Sequence, residues 1–420
     1  MRLQRPHTLL VGFVGLHGLF LFALLPTILT GRVLGDLPLY RIWAELGLNH
    51  DVWQGLTVEW VYPIGALLPI SLAGIAGPLL YQLIWFLMTA TLNGVAVIVL
   101  TSGGRRRSGY RGAWMWLLLS FLLSPVGLLR LEGLTAPLVI AGLVLVATRP
   151  VLAGVLLSAA TWIKVWPAAV MLAVIAVSRR RLPVLLAGIG LTAAITAGVW
   201  FTGGLKFLSG FVTMQSDRAL QLEAPVTTPW VWLAAIGHQH TAIYENLAIS
   251  TREVNGPGTA AVAAIMTPVM FAAILAVSVL MMLALRRTRD ASGLLLMGAL
   301  ALVSAFVVFN KVGSPQYMLW IAPVVAVGVA HDWRQWRIPA YLMVATSMLT
   351  TLVFPIFYLA LIDGNPLAVL LLTLRNVLLV VLFGWAVREL WSLARGRVPA
   401  VVRVAAPVRQ SRLQPELRLE

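Results

Sequence analysis

Long apolar runs alternate along this chain with short arginine-rich loops and with two longer polar stretches. The runs cover Thr8 to Thr30, Leu79 to Thr101, Ala113 to Leu129, Thr135 to Thr148, Val151 to Ile163 and Trp166 to Val177. They continue with Pro183 to Phe201, Thr259 to Leu285, Ala291 to Phe309, Tyr317 to Ala330, Ile338 to Leu361 and Pro366 to Val387. Several approach the roughly 18 to 20 residues that cross a bilayer as a helix. The hydrophobicity is continuous, unlike the alternation of a membrane β-barrel, and helices satisfy the backbone where there is no water. The pattern predicts an all-α polytopic membrane protein of about twelve spans with two long outer loops, Gly31 to Pro63 and Thr202 to Gly258.

Two segments depart from a simple crossing. Tyr62 to Gly77 is apolar but interrupted by Pro63, Pro69 and Gly74 and followed by Pro78, which predicts a re-entrant or interface-lying piece. Val151 to Val177 has basic residues at both flanks, Arg149 and Arg179 to Arg181, and Lys164 in its middle. That arrangement predicts a helical hairpin with Lys164 at its apex. Residues 1–390 read as one membrane domain, and residues 391–420 as a basic, proline-dotted cytoplasmic tail without stable structure.

Charge gives the chain its orientation. The loops around Arg105 to Arg111, Arg179 to Arg181, Arg286 to Arg289 and His331 to Arg337 hold many arginines and few acids. The intervening loops hold most of the acids and all three lysines, Lys164, Lys206 and Lys311. By the positive-inside rule the arginine-rich loops are cytoplasmic and the acidic ones lie outside. The net charge of +16 is therefore a topology signal. It is spread over many loops and forms no single basic face, so no nucleic-acid partner is expected. The N-terminal MRLQRPH precedes an apolar run without a clear cleavage site and reads as the start of a retained first helix. Charged residues make up 11% of the chain, against about 25% in soluble domains. There is no cysteine, hence no disulfide, thiolate metal site or cysteine nucleophile. No phosphate-binding glycine loop or nucleophile elbow is present, and neither a metal nor another cofactor is expected. Few lysines against many arginines, with abundant alanine, valine and leucine, suit a GC-rich bacterial genome, which places the protein in a bacterial plasma membrane.

Chemistry is expected on the outer side. Asp36 follows the first run in VLGDLPLY, and an ionisable residue near membrane depth is costly and often functional. It reads as a general base or a ligand for a substrate hydroxyl, or else as a helix-capping carboxylate. Glu59 shares its loop with Asp51 and Glu45, beside the rings Trp43, Trp53, Trp60 and Tyr62. These rings form either an interfacial belt or a stacking wall. Arg130, Glu132, Lys164 and Lys311 stand at run ends, where cations either snorkel to the surface or bind a phosphate. Asp217, Arg218, Gln221 and Glu223 form a polar string in the second long loop.

Taken in order, these motifs resemble the family-87 glycosyltransferases. The matching stretches are GDLPLY with VYP, then LEGLTAPL, IKVWP, SDRALQLEAP and NKVGSPQYMLW. Two departures stand out: Ile64 where many relatives have a second proline, and Glu132-Gly133 where many carry Gly-Gln. The resemblance implies a GT-C fold and the use of polyprenyl-phosphate sugars, mostly mannose, to build cell-envelope glycans. The family includes an actinobacterial enzyme that extends phosphatidylinositol mannosides with α-1,2-linked mannose. It implies that Asp36 is the catalytic residue, and that Lys164, Arg218, Lys311 and Gln316 lie near the lipid phosphate. Tyr40, Glu59, Tyr62, Arg130, Glu132 and Glu223 complete the expected substrate contacts. The expected partners are a polyprenyl-phosphate sugar, a glycolipid or lipoglycan acceptor and membrane lipid. A flippase for a lipid-linked sugar, or a transferase using polyprenyl-phosphate arabinose, are the competing readings.

Overall fold

The computed structural model describes residues 4–216, 218–247 and 251–396. Helix α1 (Pro6–Leu29) begins on a proline, whose missing N–H costs nothing at that position. It leads to α2 (Leu37–His50), a helix lying within the first long loop. Its buried residues Leu37, Tyr40, Ala44 and Gly47 recur at helical spacing, so one face packs inward. The short α3 (Leu67–Gly74) follows, in the segment expected to re-enter or lie at the interface.

Next come α4 (Tyr81–Leu100), α5 (Gly109–Leu122), the single turn α6 (Ser124–Gly127), and α7 (Glu132–Leu145). The predicted hairpin is α8 (Pro150–Ile163) and α9 (Pro167–Val177), with Lys164 in extended backbone just after α8. After α10 (Arg181–Phe201), the second long loop folds into α11 (Gly210–Ser216), α12 (Thr228–Ala235) and an antiparallel hairpin of β1 (Ala242–Asn246) and β2 (Thr251–Asn255). The chain ends with α13 (Thr259–Leu285), α14 (Ala291–Val308), α15 (Met318–His331), α16 (Trp333–Thr351), α17 (Tyr358–Ile362) and α18 (Pro366–Ala394). Helix α18 runs four residues into the stretch read as tail; residues 397–420 lie outside the described residues.

Ten of the twelve apolar runs fold as one helix each, while Ala113 to Leu129 forms α5 with α6 and Ile338 to Leu361 forms α16 and α17 on either side of a kink at Phe354. Among the described residues, seven helices are long and apolar enough to cross a membrane. The other five, α5, α7, α8, α9 and α15, have 11 to 14 residues. At 1.5 Å per residue they extend about 16 to 21 Å, less than the roughly 30 Å hydrocarbon core. The ends of α7 and α8 and the start of α15 carry Glu132, Lys164 and the Pro315–Tyr317 turn. Short helices thus leave room for polar groups below the ends of full-length ones.

The centre of the bundle is α14 with α7 and α15, which are buried along most of their lengths. Apolar area gives little drive for helix association in lipid, so close packing of small residues holds such a core. At Gly328 a Cβ would sit 2.1 Å from the Trp336 indole, so only glycine lets α16 close on α15. At the edge, the apolar stretch of α10 is only 11% buried.

Candidate functional site

The chain reaches Asp36 through Gly35, whose positive φ of 64° suits glycine. A Cβ at Gly35 would lie 2.8 Å from that of Leu129, so this turn is pressed against the segment carrying Arg130. Asp36 immediately precedes α2 yet its carboxylate makes no capping bond. It turns instead to Arg130, with Oδ1 3.2 Å from Nη2, while Tyr40 donates its hydroxyl to Oδ2 at 3.4 Å. The capping reading of Asp36 is therefore not realised. About a quarter of its side-chain surface (26%) stays open.

Arg130 branches. Its Nη1 donates to Gln316 Oε1 and, at 3.4 Å, to Ser314 Oγ, and its guanidinium lies 5.5 Å from the Phe354 ring centre. Its Nε is buried and, among the described residues, without a hydrogen-bond partner. Burial raises the Asp36 carboxyl above its ordinary value, with the Arg130 charge opposing. At Arg130 burial pulls downward, but the surrounding acidic oxygens, Asp36 foremost, outweigh it and leave the guanidinium more firmly protonated.

A second pair lies alongside. Glu132, fully buried in the first turn of α7, has Oε1 3.0 Å from Lys164 Nζ. The distance makes an ion pair, but the alignment is poor for a hydrogen bond, and among the described residues Oε2 has no donor. The ammonium lies 4.1 Å above the Tyr62 ring. Burial pulls Lys164 down, but Glu132, with Tyr62 and Tyr317 beside it, outweighs that pull, and the amine sits above its ordinary value. The two pairs feel each other, since Glu132 raises Asp36 and Lys164 lowers it.

The wall behind them is aromatic. Tyr40, Trp43, Trp60 and Tyr62 pack ring against ring at 5.3 to 6.2 Å, with Tyr40 and Trp60 buried. They form one cluster, joined to the second ion pair through Tyr62. Tyr317 stacks on Trp320 at 3.7 Å, and the charges of Lys164 and Arg218 both act on its hydroxyl. Arg218 therefore stands in the same neighbourhood, its Nε buried and, among the described residues, without a hydrogen-bond partner.

The NKVGSPQYMLW segment joins through the backbone. Lys311 is buried and its carbonyl accepts the Gln221 N–H at 3.0 Å. At Gly313 a Cβ would lie 2.2 Å from Ala224 N, so glycine lets this segment press onto LEAP. That contact brings two distant motifs together and aims Ser314 and Gln316 at Arg130.

Of the residues read from the sequence as substrate contacts, Glu59 stands apart and Glu223 is held by another partner, with Arg130 near enough to act on its charge. Glu59 is exposed and, among the described residues, makes no ion pair. Glu223 is buried with its carboxylate 2.7 Å from Arg375, which also donates to the Glu223 carbonyl. Sequence reasoning passed over Arg375 because it sits inside an apolar run; an arginine within a span was itself the signal. Asp217 lies outside the described residues. Among the described residues no group of three or more His, Cys, Asp or Glu side chains comes together to hold a metal.

No curated protein matches the chain. Among solved structures, the crystal structure of ArnT from Cupriavidus metallidurans bound to undecaprenyl phosphate is similar, with a TM-score of 0.44 and 14% identity, over 91% of this chain and 78% of that one. The model of glycosyltransferase family 87 matches residues 60–309. That stretch contains Arg130, Glu132, Lys164 and Arg218, with Asp36 before it and Lys311 and Gln316 after it. The match covers more than half of the 420 residues, and the protein belongs to glycosyltransferase family 87.

Proposed function

We propose that this protein moves a sugar, mannose in the first instance, from a polyprenyl-phosphate donor to a hydroxyl of a cell-envelope glycolipid or lipoglycan. The site faces the outer side of a bacterial plasma membrane. The observation that carries the reading is the position of Asp36: free of helix capping, partly open, and set beside the buried cations Arg130 and Lys164. The opposite helix ends carry Arg105 to Arg107, Arg179 to Arg181 and Arg286 to Arg289, which supports an outward-facing site.

The chemistry is a single displacement. The acceptor oxygen bonds to C1 of the sugar, the bond from C1 to the phosphate oxygen breaks, and the lipid leaves as its phosphate. Attack opposite the leaving group inverts C1. Asp36 takes the acceptor's proton. Lys164, Arg218 and Lys311, with Gln316 alongside, offset the negative charge growing on the phosphate, and Arg130 lies among them. Tyr40 and Tyr62 line the wall against which the sugar rests.

The test is transfer by the purified protein from radiolabelled polyprenyl-phosphate mannose to an envelope lipid extract, with a polyprenyl-phosphate pentose as a parallel donor. Asp36→Asn is expected to lower kcat by about 10²- to 10⁴-fold, the usual worth of a general base, while leaving donor binding intact. Transfer that survives the substitution removes Asp36 from the base role. Transfer from neither donor by the wild type would leave a lipid-linked sugar flippase as the better reading.

A further inference from the structure

A cavity of about 400 Å³ lies at the arginine-rich end of the bundle, where α5, α15 and α16 meet the residues just before α1. Helix α5 begins at this cavity and leads through α6 toward Arg130, so the ion pairs stand beyond its far end. The volume is that of a small-ligand site, well above the voids of ordinary packing.

The lining changes with depth. Tyr110, Arg111, Trp114, Met115 and Leu118 share one face of α5. The run from Tyr110 to Leu118 descends about 12 Å at 1.5 Å per residue. Arg111 and the rings of Tyr110, Trp114 and Trp333 surround the mouth, and Met115 and Leu118 make the deep part apolar. Two close contacts fix the walls. At Gly12 a Cβ would collide with the Trp114 indole, so only glycine lets α1 close on that ring. Arg106 donates to the Ala330 carbonyl at 3.2 Å and ties the loop before α5 to the end of α15.

The charge at the mouth is one-sided. Arg111 is exposed and, among the described residues, makes no ion pair. Arg5 and Arg334 adjoin the lining residues Gln4 and Trp333. Helices α1, α5 and α16 all begin here, which adds their positive ends to the arginine charge. The neighbouring acid, Asp332, serves as the cap of α16 and accepts the Arg334 N–H at 2.9 Å. Tyrosine and tryptophan rings suit the level at which lipid headgroups meet acyl chains. A cationic mouth above an apolar shaft matches a phosphate with a hydrocarbon chain below it.

We propose that this cavity binds an anionic phospholipid of the leaflet on the arginine-rich side, with its phosphate at Arg111 and an acyl chain along Met115 and Leu118. It is a second lipid site, at the other end of the bundle from the transfer site. The orientation proposed above enters only in naming that leaflet as the cytoplasmic one.

Two measurements on the full-length protein in detergent test it. In the first, native mass spectrometry follows the binding of dioleoyl phosphatidylglycerol, with dioleoyl phosphatidylcholine and glycerol 3-phosphate as comparison probes. Phosphatidylglycerol is expected to bind more tightly than either. Arg111→Gln should weaken it roughly fivefold, the worth of one arginine beside an anionic headgroup. Leu118→Trp fills the shaft from an exposed position, keeps every charge, and should weaken binding at least as much. Arg179→Gln, exposed on the same side but outside the lining, should change nothing. Equal binding of phosphatidylcholine, equal losses from Arg179→Gln and Arg111→Gln, or wild-type binding by Leu118→Trp overturns the proposal. Glycerol 3-phosphate that binds as tightly as the whole lipid makes the mouth a plain anion site and overturns it too. In the second, a photoreactive benzoylphenylalanine at position 118 is expected to label radioactive phosphatidylglycerol, with unlabelled phosphatidylglycerol competing and phosphatidylcholine not. Equal competition by phosphatidylcholine overturns the proposal. Neither measurement requires sugar transfer, so this inference and the transferase reading fail separately.

Discussion

Asp36 Oδ1 lies 3.2 Å from one arm of Arg130, and the other arm of the same guanidinium is bonded to Gln316. One side chain thus ties the first loop of the protein to a motif 280 positions later. On the proposed mechanism, a donor phosphate competing for that guanidinium would loosen its hold on Asp36 as the leaving group arrives.

The pair sets a pH dependence with a definite sign. The Arg130 charge favours ionised Asp36, opposing the upward push of burial. Arg130→Gln removes that opposition, so Asp36 needs a higher pH to become a base. The acid limb of kcat/KM against pH is expected to move to higher pH. At neutral pH kcat/KM should fall about tenfold to a hundredfold, the worth of a charge-assisted hydrogen bond. A limb that stays in place would detach Arg130 from the base.

Glu132 and Lys164 give the opposite limb. Burial pulls the amine down and Glu132 holds it up. Glu132→Gln leaves burial unopposed by its main partner, so the ammonium loses its proton at lower pH than in the wild type. Donor KM is expected to rise earlier on the alkaline side, and Lys164→Met should lack that alkaline rise because it carries no proton to lose. A Glu132→Gln profile that overlays the wild type would rule out the coupling.

The Glu223–Arg375 pair is expected to be structural. Breaking it by Arg375→Met alone leaves a buried carboxylate unpaired and should cost about 3–5 kcal/mol, seen as a lowered Tm in detergent. The double change Glu223→Leu with Arg375→Met removes both charges and should recover most of that loss, with donor KM near wild type. A stable but inactive double variant would return Glu223 to the substrate.

Gly313 tests how the motifs are joined. Gly313→Ala puts a methyl into the Ala224 backbone and should destabilise by roughly 1–3 kcal/mol, as overpacking does. Activity should fall further than stability, because Ser314 and Gln316 move away from Arg130. A variant with wild-type Tm and turnover would show that the segment has room to give.

The bundle was legible in the sequence because each helix of a membrane protein announces itself locally, as an apolar run between charged loops. Lys164 at its hairpin apex was readable for the same reason. Helix α2 was missed: its inward residues Leu37, Tyr40, Ala44 and Gly47 are spaced for a helix, but the charges around them suggested a loop. The pairings of Asp36 with Arg130, Glu132 with Lys164 and Glu223 with Arg375 were not readable. They join residues 32 to 152 positions apart, and no local period encodes which helix end meets which. The short helices likewise gave apolar runs like any other, and only packing shows that they stop early.

Helix α10 leans on the rest through few buried residues, and its side of the bundle is the face we propose for entry of the lipid donor. A guest entering there travels in the plane of the membrane and never crosses into water. Encounter is then two-dimensional, and saturation is governed by the donor's mole fraction among lipids. Diluting the donor with inert lipid at a fixed bulk concentration should slow the enzyme, whereas diluting the whole suspension with buffer should leave the rate per protein unchanged.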